Sequence, residues 1–199
     1  MRYKAGHKEE ARARMIAAAS RGFRRRGFGG IGVDGLAKEA EVTSGAFYSH
    51  FSSKEAAFKE AVVAGIEELH DGVLSFRKAH GAKWIEAFAD FYVGYKRVCE
   101  LGDSCALQTL SPEVGRADAE IRSAYEAGMQ KVAAAVAEGL EGGTLAERKQ
   151  RAWALLSILS GGVTLARAVA DEGVSSGIAE AVRAAAIQAA GAASASAPL

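Results

Sequence analysis

The sequence predicts an all-α protein, and three observations support this fold class. Prolines occur only at positions 112 and 198 of the 199 residues. Hydrophobic residues make up 49% of the chain and alanine is the most abundant of them, a composition that favours helices. Apolar side chains recur at three- and four-residue intervals along most segments, as on the buried face of a helix. Together these patterns predict a helical protein with a sizeable core.

The first helix is predicted over residues 8–26, where apolar side chains from Ala11 to Phe23 recur every four residues. Basic residues at positions 24–26 suit the negative end of the helix dipole. Gly27 is expected to end the helix, because glycine readily adopts the left-handed conformation found just past a helix C-terminus. The glycine-rich segment that follows is predicted to be a loop.

Two short helices are predicted next, at about 34–40 and 43–50, joined by a tight turn through Glu41 and Val42. Two short helices joined by three or four residues form the pattern of a helix-turn-helix. In that motif the second helix enters the major groove of DNA and the first crosses the backbone. The order of these elements therefore predicts a three-helix DNA-binding domain at the N-terminus.

A bundle of longer helices is predicted after this domain. Ser52 and Glu55 have the spacing of a capping box, which would start a long fourth helix, and Thr144 and Glu147 have the same spacing. The other predicted segments are helices at 84–98, 104–110, 116–140, 144–171 and 178–190, a break or a new helix cap at Ser111-Pro112 and a loop at 173–177. The predicted division is a DNA-binding domain at 1–52, a ligand-binding and dimerisation domain at 53–190 and a flexible tail at 191–199.

Charge is divided unevenly along the chain, whose formal net charge is +1. Residues 1–60 carry twelve Lys and Arg against seven Asp and Glu, whereas residues 61–199 carry thirteen against seventeen. A basic N-terminal part suits an anionic partner such as nucleic acid. By charge alone, a solvated helix face is an equally good interpretation.

The stretch EVTSGAFYSHF, residues 41–51, indicates how the motif would contact DNA. Its small residues allow a helix N-terminus to approach phosphates and base edges closely. A hydroxyl of Thr43 or Ser44 can cap the helix, the free N–H groups attract phosphate, and an alanine methyl can contact a thymine methyl. Phe47 and Phe51 are four residues apart and are predicted to hold the helix from its buried side.

Three polar side chains near the end of this stretch, Tyr48, His50 and Lys54, can reach phosphate oxygens. For His50, a half-buried packing role is the alternative. The predicted DNA-contacting residues are Thr43, Ser44, Gly45, Ala46, Tyr48, Ser49, His50 and Lys54.

Residues from about 8 to 66 resemble the DNA-binding domain of TetR-family transcriptional regulators. The resemblance is carried by GFGGIGVDGLAKEAEVTSGAFYSHFSSKEAAF, residues 27–58. This segment contains the family's G-F near the end of helix one, its V-D-x-[LI]-A in helix two, and its G-x-[FL]-Y-x-[HY]-F followed by S-K-E. Many spaced matches make the resemblance far more specific than a generic helix-turn-helix. The remaining two thirds of the chain match the family only in helix layout.

The resemblance implies a ligand-responsive repressor that binds a palindromic operator as a homodimer. It implies nine or so helices per subunit, of which helices one to three bind DNA, helix four connects, and helices five to seven line a pocket for a small effector. The last two helices would pair across the dimer in a four-helix bundle. Effector binding would move helix four, change the separation of the two recognition helices and release the operator.

Four positions depart from the family pattern. Position 44 is often Lys and position 46 often Ser or Thr, whereas this chain has Ser44 and Ala46, so its recognition helix depends less on charge. Gly32 stands where a hydroxyl often caps helix two. Glu41 replaces the usual turn glycine, and it is predicted to be strained if the turn is left-handed. Its carboxylate would repel phosphate unless it points away from DNA.

Aromatic residues at helical spacing within 84–98 lie where the family's pocket usually sits, although core packing is the alternative for each of them. The predicted effector-pocket residues are Phe88, Tyr92, Tyr95, Cys105, Leu107, Tyr125, Met129 and Trp153, which would suit an apolar or aromatic ligand. An apolar stripe in the last two long helices is predicted to be the dimer seam, with intrachain core as the alternative. The predicted seam residues are Leu155, Leu159, Val163, Ala166 and Val182.

Two other classes of function stay open at this point: a helical enzyme with a vestigial DNA-binding domain, and a protein-interaction module. The sequence has no paired carboxylates, Ser/His/Asp set or nucleotide loop, so neither catalysis nor a cofactor is predicted. His70 and His80 lack metal-ligand spacing. Cys99 and Cys105 leave redox or electrophile sensing open, although Cys105 is better interpreted as a small buried hydrophobe. The lack of a membrane span, a signal segment and a disulfide framework predicts a cytoplasmic protein.

Overall fold

The computed structural model describes residues 3–191, and this part of the chain is α-helical with no strand. It contains ten α-helices: α1 Tyr3–Arg26, α2 Val33–Glu39, α3 Ser44–Tyr48, α4 Lys54–His80, α5 Trp84–Val93, α6 Tyr95–Val98, α7 Ala106–Val114, α8 Ala119–Glu138, α9 Leu145–Ala168 and α10 Glu172–Ala189. The all-α prediction is confirmed. The predicted flexible tail lies outside the described residues except for Gly191. Among the described helices, none is long and apolar enough to cross a membrane.

Two helices differ from the prediction in the middle of the chain. The single helix predicted at 84–98 is interrupted at Gly94, whose backbone (φ −82°, ψ −87°) is not helical, and this accounts for the tenth helix. The break predicted at Ser111-Pro112 does not occur, because α7 continues through Pro112 to Val114. Near the C-terminal end of a helix a proline removes only one amide donor, so the remaining hydrogen bonds can sustain the last turn.

The helix N-termini follow local capping signals, with two corrections. The cap of α4 is Ser53, one residue later than predicted, and its Oγ accepts from the Ala56 amide at 3.1 Å. The predicted loop at 173–177 is helical, because Asp171 caps α10 two residues earlier by accepting from the Val174 amide at 2.8 Å. The capping box at the start of α9 is confirmed, with both of its hydrogen bonds present. The Thr144 amide hydrogen bond also lowers the pKa of the Glu147 carboxyl.

The chain divides into two compact units. The first unit contains the residues up to Glu67 together with Glu100–Glu126, and the second contains Glu68–Cys99 and the residues from Ala127 onward. The first unit is thus larger than the predicted DNA-binding domain at 1–52, because α7 and the start of α8 pack with the N-terminal helices. The predicted division is based on function, whereas the two units are defined by packing, so the division stays a prediction.

The core of the first unit combines four phenylalanine rings with aliphatic side chains. Phe23 and Phe58 pack edge to face with ring centroids 5.1 Å apart, and each is at most 1% exposed. α4 and α7 approach closely, since a Cβ added at Gly65 would lie 2.4 Å from the Ala106 Cβ. The other large buried members are Ile31, Leu36, Phe47, Phe51, Val62, Leu110 and Ile121.

The second unit is built around α5, α9 and α10, which contact one another. Two side chains of this unit donate hydrogen bonds to backbone carbonyls of other segments. Trp84 Nε1 donates to the Gly139 carbonyl at 3.0 Å, and the Arg167 guanidinium donates to the carbonyls of Lys96, Arg97 and Cys99 at 2.8–2.9 Å. These bonds satisfy carbonyls at helix ends, which would otherwise lack partners.

Candidate nucleic-acid interface

The turn between α2 and α3 is closed by the hydrogen bonds of a Schellman motif. The Val42 amide donates to the Ala37 carbonyl at 2.9 Å and the Glu41 amide donates to the Lys38 carbonyl at 3.1 Å, as this motif requires at a helix C-terminus. Glu41 occupies the left-handed position of the motif with φ 55°, and it is the only residue other than glycine with positive φ in the described part of the chain. The strained left-handed turn that the sequence analysis anticipated is therefore present.

Replacing Glu41 with glycine is expected to raise the free energy of unfolding by about 0.5–1 kcal/mol. The left-handed conformation costs an L-residue roughly 1–2 kcal/mol, and part of this gain is offset by the greater freedom of glycine in the unfolded chain. Urea unfolding would measure the change. Glu41→Gln is the matched control, because it removes the charge and keeps the strain. A gain in stability from Glu41→Gln equal to that from Glu41→Gly would contradict the backbone explanation.

The N-terminus of α3 is capped by Thr43 rather than Ser44. Thr43 has an extended backbone, and its Oγ1 accepts from the Ala46 amide at 3.2 Å. The Ser44 hydroxyl instead donates to the Asp34 carboxylate at 2.6 Å and so links α3 to α2. Both hydroxyls thus have internal partners in the free protein. Gly32 occupies the N-cap position of α2 and provides no side-chain cap, as the sequence departure indicates.

The two sides of α3 differ sharply in exposure. Phe47 is 1% exposed and packs against Phe51 with ring centroids 5.0 Å apart, whereas Tyr48 is 57% exposed. On the outer side, a Cβ added at Gly45 would meet only Thr43 Oγ1, at 3.9 Å. Internal packing therefore does not require a glycine at position 45, and the helix presents bare backbone to the outside.

The remaining predicted contact residues lie around this surface in different environments. Ser49 is exposed, and its hydroxyl donates to the Ala46 carbonyl at 2.7 Å. His50 is partly buried, and its Nδ1 is buried with no hydrogen-bond partner among the described residues. Only Nε2 of this ring is therefore placed to reach a phosphate. Lys54 Nζ lies 4.3 Å from the centre of the Phe28 ring, in a cation–π contact.

The basic charge of the N-terminal segment is partly neutralised inside the first unit. The internal ion pairs are Arg12 with Glu60, Arg25 with Glu39 and Glu100, and Lys59 with Glu120. The hydrogen bonds from Arg25 lower the pKa of the Glu100 carboxyl. Lys38, at the end of α2, is exposed and has no ion pair within the described part of the chain. Lys38 could not be identified from the sequence, because a lone lysine in a basic segment forms no recognisable pattern.

The predicted effector-pocket residues are divided between the two units. Cys105, Leu107 and Tyr125 belong to the first unit, and the other five belong to the second. Cys105 is 6% exposed, in keeping with its interpretation as a buried hydrophobe, and Tyr125 forms a hydrogen bond with the Ser111 hydroxyl at 2.7 Å. Burial raises the pKa of the Tyr125 phenol.

Within the second unit, the predicted pocket residues split between core and surface. Phe88, Tyr92 and Met129 are at most 4% exposed, whereas Tyr95 and Trp153 are 51% and 41% exposed. Tyr95 and Trp153 therefore face outward. Across the described residues, no three His, Cys, Asp or Glu side chains are grouped so that they could hold a metal ion.

The predicted dimer seam lies in the core of the single chain. Leu155, Leu159, Val163 and Ala166 are each at most 2% exposed in the isolated chain. Val182 packs against Gly162 of the same chain, so closely that a Cβ at position 162 would lie 2.2 Å from a Val182 methyl. The four α9 side chains are thus buried within one chain, which is the alternative that the sequence left open.

Helices α1, α2 and α3, with α3 exposed, define a protein of the helix-turn-helix class. A family model described as "Bacterial regulatory proteins, tetR family" matches residues 15–61. The HTH-type transcriptional repressor NemR of Escherichia coli K12 is 28% identical over 137 residues, which cover 67% of this chain and 69% of NemR.

Solved structures show the same fold over most of the chain. The crystal structure of reduced E. coli NemR matches with a TM-score of 0.75 at 23% identity, covering 90% of this chain and 96% of that one. A TetR-family transcriptional regulator from Streptomyces coelicolor matches with a TM-score of 0.69 at 23% identity, covering 92% of this chain and 97% of that one. The chain is thus similar to TetR-family transcriptional regulators, by the family model over residues 15–61 and by its fold over most of its length.

Proposed function

We propose that this protein is a repressor that binds a palindromic operator as a homodimer and releases it when a small apolar or aromatic effector binds. The observation that carries the proposal is the two-sided recognition helix α3. Its inner face is fixed by Phe47, while its outer face combines an exposed Tyr48 with bare backbone at Gly45. A helix surface of this shape can enter a major groove. NemR, a relative of this chain, is also named a repressor.

The contacts expected in the complex fall into two groups. Gly45 and Ala46 lie where backbone and a methyl group can approach base edges. Tyr48, Lys54 and the Nε2 of His50 lie where they can bind phosphates, which fix position but carry no sequence information. Lys54 would have to leave the Phe28 ring or extend past it to reach a phosphate.

Titration of operator DNA at increasing salt tests this proposal. Selection from a random DNA pool should yield a near-palindrome with half-site centres about 34 Å apart or somewhat more. A dimer that contacts at least six phosphates should lose about 10³-fold in affinity between 50 and 200 mM salt.

Tyr48→Phe and Lys54→Ala should weaken binding to all sequences alike, and Lys54→Ala should reduce the salt slope by about one per half-site. Weak retention that is the same for every sequence would overturn the proposal.

A buried amide supports the effector part of the proposal. Gln108 on α7 is 7% exposed, and its Oε1 has no hydrogen-bond partner among the described residues. An unsatisfied buried acceptor costs about 1–3 kcal/mol, so a bound molecule with one N–H or O–H donor would be favoured there. An aromatic compound with such a donor is expected to release the operator in the same titration. Gln108 could not be identified from the sequence, because a single glutamine in a helix gives no signal of burial.

Exposed apolar residues on α9 and α10 support a different dimer face from the predicted seam. On α9, Trp153 and Leu165 are 41% and 61% exposed, and exposed Ser157 and Gly161 lie between them at four-residue intervals. On α10, Val174 begins a stripe of small exposed side chains. Small residues between large apolar ones allow two helices to pack closely. We therefore place the dimer contact on this outward stripe.

Leu165→Glu is expected to convert the dimer into a monomer and to abolish tight operator binding. The substitution places a charge in the proposed contact, yet in the single chain Leu165 is 61% exposed, so folding should be unaffected. Sedimentation velocity and circular dichroism would measure both properties. Leu74→Glu on α4, a residue 40% exposed, is the control and should leave the dimer intact. A Leu165→Glu protein that stays dimeric would show that the contact lies elsewhere.

A further inference from the structure

A cavity of about 120 Å³ lies within the first unit and is separate from every predicted effector-pocket residue. It is formed by the loop after α1, the first turns of α4, the end of α7 and the turn that leads into α8. An apolar cavity of about 150 Å³ is known to accommodate benzene. The space is therefore suitable for a group of about that size, and too small for most drug-sized ligands.

The inner wall of this cavity is apolar and firmly packed. Phe58 is 1% exposed and Ile121 is 4% exposed. The Phe28 ring contacts the Phe58 ring edge to face, with centroids 5.1 Å apart and planes at 61°. These side chains are held by the surrounding core, so the wall is formed before any ligand binds. A flat apolar group can pack against it without ordering new side chains.

The charged side chains that line the cavity are predominantly acidic: three carboxylates and one guanidinium. Glu113 is already paired with the guanidinium of Arg116 at 3.3 Å, and Asp118 Oδ1 accepts from the Ile121 amide at 2.9 Å. Glu55 is exposed and has no hydrogen bond or ion pair with another described side chain. Glu55 is thus the carboxylate most available to a ligand.

The aromatic wall also favours positive charge. Phe28 already makes a cation–π contact with the Lys54 ammonium, 4.3 Å from its ring centre, so a ligand cation must lie away from Lys54 or displace it. Acidic groups at the opening and aromatic rings along the wall both favour a ligand that carries one positive charge on an apolar body.

We propose that this cavity binds a small organic cation, a primary ammonium group attached to an apolar body no larger than a benzene ring. The apolar body packs on Phe58, Ile121 and the edge of Phe28, and the ammonium group lies at the opening beside Glu55. The proposal does not depend on the identity of the effector or on DNA binding.

Benzylamine is the probe that tests this site in the full-length protein. Backbone amide resonances of Phe28, Phe58 and Ile121 are expected to shift with a Kd on the order of 1 mM, as suits so small a ligand. Benzyl alcohol has the same shape without the charge and should bind at least about tenfold more weakly, and benzoate should not bind. Equal binding of benzylamine and benzyl alcohol would overturn the assignment of a cation. Shifts confined to other parts of the chain would overturn the site.

Two variants locate the ligand within the cavity. Glu55→Gln should weaken benzylamine binding about threefold and leave benzyl alcohol binding unchanged, because the charge is partly exposed. Ala117→Leu should remove the binding of both compounds by filling the space. Glu67→Gln, an exposed residue of α4 that does not line the cavity, is the control and should bind benzylamine as the unmodified protein does. An unchanged benzylamine affinity in Glu55→Gln would contradict the proposed orientation.

Discussion

Replacing Phe47 with alanine is expected to lower the free energy of unfolding by about 3–5 kcal/mol, which is the usual cost of truncating a buried phenylalanine. Phe47 is 1% exposed and packs against Phe51 on the inner face of α3. Domains have only about 5–15 kcal/mol of stability in total. The variant should therefore lose most of the order of its helix-turn-helix at moderate temperature, and operator binding with it.

The neighbouring substitution, Tyr48→Ala, provides the matched comparison. Tyr48 is 57% exposed, so its removal should cost less than about 1 kcal/mol of stability. DNA binding should nevertheless weaken, because a phosphate contact is lost. Urea unfolding and operator titration on both variants separate the two effects. A Phe47→Ala protein with unchanged stability, or a Tyr48→Ala protein with unchanged operator affinity, would contradict the assignment of the two faces of α3.

Gly162→Ala is expected to destabilise the protein by about 1–2 kcal/mol, although alanine normally favours a helix interior. The new Cβ would lie 2.2 Å and 2.5 Å from the two methyl carbons of Val182 and 2.9 Å from its Cβ. Overpacking of this kind costs about 1–3 kcal/mol, and a β-branched neighbour has little rotamer freedom to move away. The helix-propensity gain of about 1 kcal/mol offsets only part of the overpacking cost.

Gly72→Ala in α4 is the control for this prediction, because a Cβ added at Gly72 meets nothing within 4 Å. It should stabilise the protein by up to about 1 kcal/mol, so the two glycine substitutions have opposite expected signs. Adding Val182→Ala to Gly162→Ala should recover part of the lost stability, and a double-mutant cycle measures the coupling. Stabilisation by Gly162→Ala would show that α9 and α10 are not packed this closely.

The helix-turn-helix could be predicted from the sequence because its signals are local. The capping hydroxyl of Thr43, the apolar pair Phe47 and Phe51, and the short turn all lie within a dozen residues. The structure confirms the buried pair and the left-handed conformation of Glu41. Thr144 and Glu147 likewise predicted the start of α9 correctly. Such features depend on the conformation of the adjacent backbone, which nearby residues determine.

Helix ends without a distinctive local signal were predicted less well. The segment at 173–177 contains glycines and serines that favour a loop, yet it is helical because Asp171 caps α10 at an earlier position. Pro112 lies inside α7 because it is near the end of the helix, where the missing amide donor removes a single hydrogen bond. Local propensity is a weak guide where a cap or the packing of a whole helix outweighs it.

By itself the sequence determined the helical fold class, the helix-turn-helix and the family resemblance. Only the tertiary structure decided which apolar stripe is core and which is exposed. An apolar stripe predicts that a helix face is buried, but its periodicity contains no information about what covers it. Leu155 and Leu159 are covered by the same chain, whereas Trp153 and Leu165 face outward on the same helix. In an alanine-rich helix several faces are apolar enough to pack, so the distinction depends on contacts between residues distant in sequence, such as Gly162 with Val182.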